Sequence, residues 1–117
     1  MNKMFLMLLG LTVTGQIFAY ELKGNTLQNG MSIYTFDPDL GAPVPVCKGD
    51  CAEHWPPVLI STKEESELKG DLGTIKRSNG FIQLTVKGRP VYTFFADRIS
   101  GDTKGDGLGN VWHLVKP

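Results

Sequence analysis

Two cysteines and two histidines are the residues of this chain best suited to hold a soft metal or to exchange electrons. Cys47-Lys48-Gly49-Asp50-Cys51 leads to His54 at a Cys-x-x-x-Cys-x-x-His spacing, and His113 stands beside Trp112 near the end of the sequence. Two thiolates and two imidazoles would suit zinc, and a thiolate pair would suit cuprous copper. The spacing is looser than that of a zinc finger. An even cysteine count in an exported chain points instead to a disulfide. The expectation is therefore a Cys47–Cys51 bridge that rigidifies its loop and contributes about 2 kcal/mol by chain entropy. A redox-active dithiol is the weaker alternative, because the spacing is not Cys-x-x-Cys and no βαβ pattern surrounds it.

Carboxylates offer a second chemistry. Gly101-Asp102-Thr103-Lys104-Gly105-Asp106-Gly107 has the glycine and aspartate content of a calcium loop. It departs from the EF-hand pattern, with Lys104 at the third position and His113 where the terminal glutamate belongs. An irregular ion-binding loop is the reading left open. Catalytic patterns are missing: Ser61, Ser66 and Ser78 lie in no Gly-x-Ser-x-Gly elbow, and there is no phosphate-binding glycine loop. The sequence thus points away from an enzyme.

The strongest pattern is a repetition. Tyr34-Thr35-Phe36-Asp37-Pro38-Asp39 recurs as Tyr92-Thr93-Phe94-Phe95-Ala96-Asp97. Gly30 and Gly88 each stand four residues ahead of their tyrosine, and Trp55 and Val58 correspond to Trp112 and Val115. Such self-similarity predicts two similar halves, over about 30–60 and 88–117, sharing one core. Large aromatics on strands dominate burial in a small β domain, so Tyr34, Phe36, Trp55, Tyr92, Phe94 and Trp112 are expected in the core. The functional alternative is an aromatic-lined groove where the halves meet. Asp39 and Asp97, each just past a strand, are expected to accept backbone amide bonds and pin turns. The loop of the first half carries the cysteines. The aligned loop of the second, Gly105-Asp106-Gly107-Leu108, has glycine and aspartate instead.

These residues resemble a bacterial family of secreted or lipoprotein repeats marked by a Tyr-x-(Phe/Trp/Tyr)-x-x-Asp motif. The likeness runs from about Gly30 to Pro117. It is carried by Tyr34, Phe36, Asp39, Cys47, Gly49, Cys51, Ala52 and Trp55-Pro56-Pro57 in the first repeat. In the second it is carried by Gly88, Pro90, Tyr92, Phe94, Asp97, Gly101-Asp102, Gly105, Gly107, Gly109 and Trp112-His113. The resemblance implies export and repeat architecture, and the family has no established activity. Many members carry a lipid-attachment cysteine after the signal; this chain has none there, so an anchor is not implied. Asp106 also replaces an uncharged polar residue common in the family.

The elements that must position these residues follow from local chemistry. Lys3, the apolar run Met4 to Val13 and the small Ala19 ahead of Tyr20 read as a signal peptide over 1–19, too short to span a bilayer. That leaves residues 20–117, enough for one domain with a real core. The chain has 12 Lys+Arg against 12 Asp+Glu, with no basic surplus to bind nucleic acid or an anionic membrane. Asn29-Gly30 and Asn79-Gly80 signal hairpins. Strands are expected over Met31 to Phe36, Phe81 to Val86, Val91 to Phe95 and Val111 to Val115. Trp55 to Ile60, with Pro56 and Pro57, is expected at a sheet edge. Ser61 and Glu64 form a capping box opening the only expected helix, 62–69, with Gly70 as its stop.

The sequence therefore predicts an all-β sandwich or small barrel. Its expected function is that of a periplasmic or secreted non-enzymatic binding module for a protein or small-molecule ligand, with the ligand surface on loops 40–51 and 98–110. The rival is a periplasmic metal- or redox-handling protein using Cys47, Cys51, His54 and His113, with copper or zinc as cofactor.

Overall fold

Asn-Gly turns and short β-branched runs build this fold. A computed structural model describes Thr26, Leu27 and residues 29–116. The signal peptide expected over 1–19 lies outside the described residues.

The regular structure of the described chain is mostly strand, arranged in two antiparallel sheets. β1 (Tyr34–Phe36) pairs with β6 (Trp112–Leu114), bringing Phe36 opposite Trp112 and Thr35 opposite His113. The second sheet is ordered β2 (Leu59–Ile60), β4 (Ile82–Val86), β3 (Leu72–Lys76), with β5 (Arg89–Pro90) pairing beyond the end of β2 on β4. β2 lies at an edge, as its preceding prolines require. Among the described residues the strands do not close into a barrel.

The β3–β4 hairpin turns at Asn79-Gly80, where the Asn79 side chain accepts the Phe81 amide. An equivalent Asx bond from the Met31 amide to Asn29 shapes the turn that pairs Thr26 with Ser32. Lys87 and Gly88 both have positive φ, the geometry of a tight two-residue turn that matches strand twist, and they fold β5 back on β4.

Two short α-helices occur among the described residues, where one helix was expected, besides single 3-10 turns at Asp37–Asp39 and Leu108–Asn110. α2 (Thr62–Glu65) is the anticipated one, and its capping box is complete: the Ser61 hydroxyl accepts the Glu64 amide while Glu64 accepts the Ser61 amide. It ends earlier than the expected 62–69, and Gly70 at φ +65° serves the turn into β3. The unexpected one is α1 (Asp50–His54), one turn between Gly49 and Trp55. The disulfide that closes the loop across four residues favours such a turn, which no hydrophobic period announces.

Val91 to Phe95 also departs from expectation. It is extended but forms no continuous ladder, because it changes partners at each step. The Val91 amide donates to Leu84, the Tyr92 amide to Tyr34, the Thr93 amide to Pro56 and the Phe95 amide to His54. Tyr92 thus bridges both Tyr34 and Pro57 and ties the two sheets together.

The core has two parts. An aliphatic part gathers Ile33, Val58, Ile60, Leu84, Val86 and Val91 beneath the larger sheet. An aromatic part gathers Tyr34, Cys47, Trp55, Tyr92 and Trp112, with Phe36 and Phe94 against them. Ile33 and Val91, the residues before the two motif tyrosines, are fully buried in the first, while Tyr34 and Tyr92 are fully buried in the second.

Candidate functional site

The motif residues converge on the aromatic core, and their contacts come in matched pairs. The Tyr34 and Tyr92 amides and carbonyls exchange hydrogen bonds of 2.8 and 3.0 Å. This sets the two tyrosines directly opposite one another in an antiparallel pairing. From there the side chains cross. The Tyr34 hydroxyl donates to Asp97 Oδ2 at 2.6 Å, and the Tyr92 hydroxyl donates to Asp39 Oδ2 at 2.7 Å. Each motif's tyrosine is therefore satisfied by the other motif's aspartate.

The remaining carboxylate oxygens act locally. Asp39 Oδ1 accepts the Val46 amide at 2.8 Å, and Asp97 Oδ1 accepts the Lys104 amide at 2.9 Å, each seven residues downstream. Both aspartates are buried. A buried carboxylate is tolerable only when its acceptor sites are filled, and here a phenol and a backbone amide fill them. Each carboxylate thus fixes a partner tyrosine and the middle of its own loop. Burial, and then the hydrogen bond to the carboxylate, push both phenols above the ordinary tyrosine range.

Four rings stack in a column. Trp55 and Trp112 lie parallel with centroids 3.7 Å apart, Phe36 stacks on Trp112 at 4.1 Å, and Phe94 lies against Trp55 at 4.2 Å. Tyr34 meets Trp55 edge-on at 5.4 Å, and Tyr92 meets Trp112 edge-on at 5.2 Å. The edge-on contacts add to the burial of large rings. The column also explains Gly105: a β-carbon there would come within 2.6 Å of the Trp55 ring. Its amide donates to the Tyr34 hydroxyl. Trp55 and Trp112 are buried within the column, and Phe36 and Phe94 at its two ends are half-buried.

Cys47 and Cys51 form a disulfide, with S–S 2.04 Å. Their sulfurs are joined to each other and present no thiolates. His54 Nδ1 contacts the Asp50 carbonyl, its ring packs edge-on against Phe95, and His113 Nε2 contacts Asp37 Oδ2 at 2.9 Å. The four expected ligands are thus engaged separately, and among the described residues no group of three His, Cys, Asp or Glu is placed to share an ion. Asp102 and Asp106 turn to the backbone as well. Asp102 Oδ2 accepts the Arg98 and Ile99 amides, which hold its carboxyl below the usual range, and Asp106 Oδ1 accepts the Leu114 amide.

Sequence reasoning missed Arg77. It is buried, its Nη1 donates to Gln83 Oε1 at 2.7 Å, and its Nη2 donates to the Cys47 carbonyl at 2.6 Å. Gln83 in turn donates to the Val91 carbonyl. The guanidinium fork therefore ties the β3–β4 hairpin to the disulfide loop. Nothing local announced it: the alternation of Ile82, Leu84 and Val86 with Gln83 and Thr85 turns Gln83 away from the apolar face, yet Gln83 is fully buried.

No curated protein and no solved structure matches the chain. A family model matches residues 73–116, which run from β3 through the second motif to the end of β6. That family is described as a secreted repeat of unknown function, and residues 73–116 are similar to it.

Proposed function

We propose that the chain is an exported, non-enzymatic recognition module of the cell envelope, made of two equivalent halves around one core. Loops 40–51 and 98–110 carry its ligand surface. The observation that supports this most is the division of labour between buried and exposed residues. The motif tyrosines and aspartates are buried, whereas Leu40 and Ile99 stand 60% and 68% exposed in the two loops, with Val46 and Leu108 also exposed. Asp39 and Asp97 anchor these same loops by single backbone bonds. Apolar side chains held in water on rigid loops are a common mark of binding surfaces. Export is supported by the apolar leader of the sequence, the disulfide, and the secreted character of the matched family.

The test is site-specific photocrosslinking in intact cells of the producing bacterium. Probes at Leu40 and Ile99 are expected to yield the same discrete adduct. A probe at Phe81, exposed on the β3–β4 hairpin, is expected to yield none. Equal labelling at all three positions, or none at any, would contradict the assignment.

A further inference from the structure

The aromatic core has a chemistry that packing alone does not require. The Trp55–Trp112 stack is parallel within 2° at 3.7 Å, an arrangement over which a positive charge can spread. Each tryptophan touches one tyrosine edge-on. Each of those tyrosines already points its proton at a carboxylate, at 2.6 and 2.7 Å. Removing an electron from a phenol is difficult while its proton stays in place, because the product is a strongly acidic radical cation. A carboxylate in line to receive the proton removes that obstacle.

We propose that the core is a one-electron sink, in which a hole formed on the Trp55–Trp112 pair moves to Tyr34 or Tyr92 as the phenolic proton passes to Asp97 or Asp39. A one-electron oxidising radical takes an electron from the tryptophan pair and becomes its anion, leaving a shared radical cation. Tyr34 or Tyr92 then returns one electron to the pair. Its O–H bond breaks, the proton joins Asp97 Oδ2 or Asp39 Oδ2, and a neutral tyrosyl radical stands beside a neutral carboxylic acid. One electron leaves the protein and one proton moves within it. The two routes are equivalent in their contacts, so loss of one leaves the other.

Pulse radiolysis of the purified exported protein tests this, with azidyl radical as oxidant and Tyr20→Phe as the background, so that Tyr34 and Tyr92 are the only phenols. The tryptophanyl absorption is expected to decay as the tyrosyl absorption rises, at a rate independent of protein concentration and slower in D2O. Asp39→Asn with Asp97→Asn is expected to slow the conversion about tenfold, equivalent to about 1.4 kcal/mol of barrier. Circular dichroism of the stacked tryptophans shows whether that variant keeps its core, and the D2O comparison needs no variant at all. A tryptophanyl radical that never converts, a rate that scales with protein concentration, or a rate unchanged in D2O would overturn the proposal.

Discussion

At the scale of single residues, the core is decided by hydroxyls, carboxylates and one missing side chain. Tyr34 and Tyr92 are neutral donors held against carboxylates in a buried site, and the fold favours their protonated form. A group whose folded pKa is raised stabilises fully below its unfolded value, here 10.0 for tyrosine, and that contribution is lost as pH rises through the folded value. In a Tyr20→Phe protein, phenolate absorbance should therefore stay flat beyond pH 10 and appear only with loss of structure. A smooth titration centred at 10 in a folded protein would show that these phenols are not held as described. Gly105 makes the second residue-scale prediction. Gly105→Ala drives a methyl group into the Trp55 ring, and a buried ring flanked by Trp112 and Phe94 has little room to give. Overpacking of this kind costs about 1–3 kcal/mol, to be read from denaturant midpoints at unchanged m-value.

At the scale of elements, the disulfide loop and the β3–β4 hairpin depend on one another. Replacing both cysteines by serine should cost about 2 kcal/mol from the freed loop and leave the aromatic stack in place. Arg77→Ala removes the fork that satisfies Gln83 and the Cys47 carbonyl. The expected loss is about 1.5–3 kcal/mol, since the bonds come from a charged donor and a buried carbonyl is left unpaired. Thermal unfolding of the two variants and their combination checks both, and because they share Cys47 their effects should not add. A fully additive combination would separate the loop from the hairpin. The hairpins, the capping box and the bridge between nearby cysteines were legible in the sequence because each is a local matter of turn chemistry or short spacing. α1 was not, since a single turn set by a loop closure has no periodicity. Val91 to Phe95 reads as an ordinary strand for the same reason: alternation shows that a segment is extended, not that it changes partner at every residue.

At the scale of the whole molecule, the part that could not be read was which residues meet. The repeated motif placed Tyr34, Asp39, Tyr92 and Asp97 in equivalent settings, and the role of both aspartates in pinning a turn follows from one motif alone. Their crossing does not. It depends on contacts separated by 53 and 63 residues and on the register that sets Phe36 opposite Trp112. Nor could the histidines be placed: His113 faces Asp37 across the β1–β6 pair and stands apart from the cysteine loop's sulfur chemistry. The crossed pairs make each half incomplete without the other, so the core should unfold as a unit, with both tryptophans reporting one transition. The most direct test is a set of double-mutant cycles. Tyr34→Phe combined with Asp97→Ala, and Tyr92→Phe combined with Asp39→Ala, should each show a coupling energy of about 1–3 kcal/mol. Tyr34→Phe with Asp39→Ala should show distinctly less. Equal coupling within and across the motifs, or stronger coupling within one, would contradict a core held together by exchange between its halves.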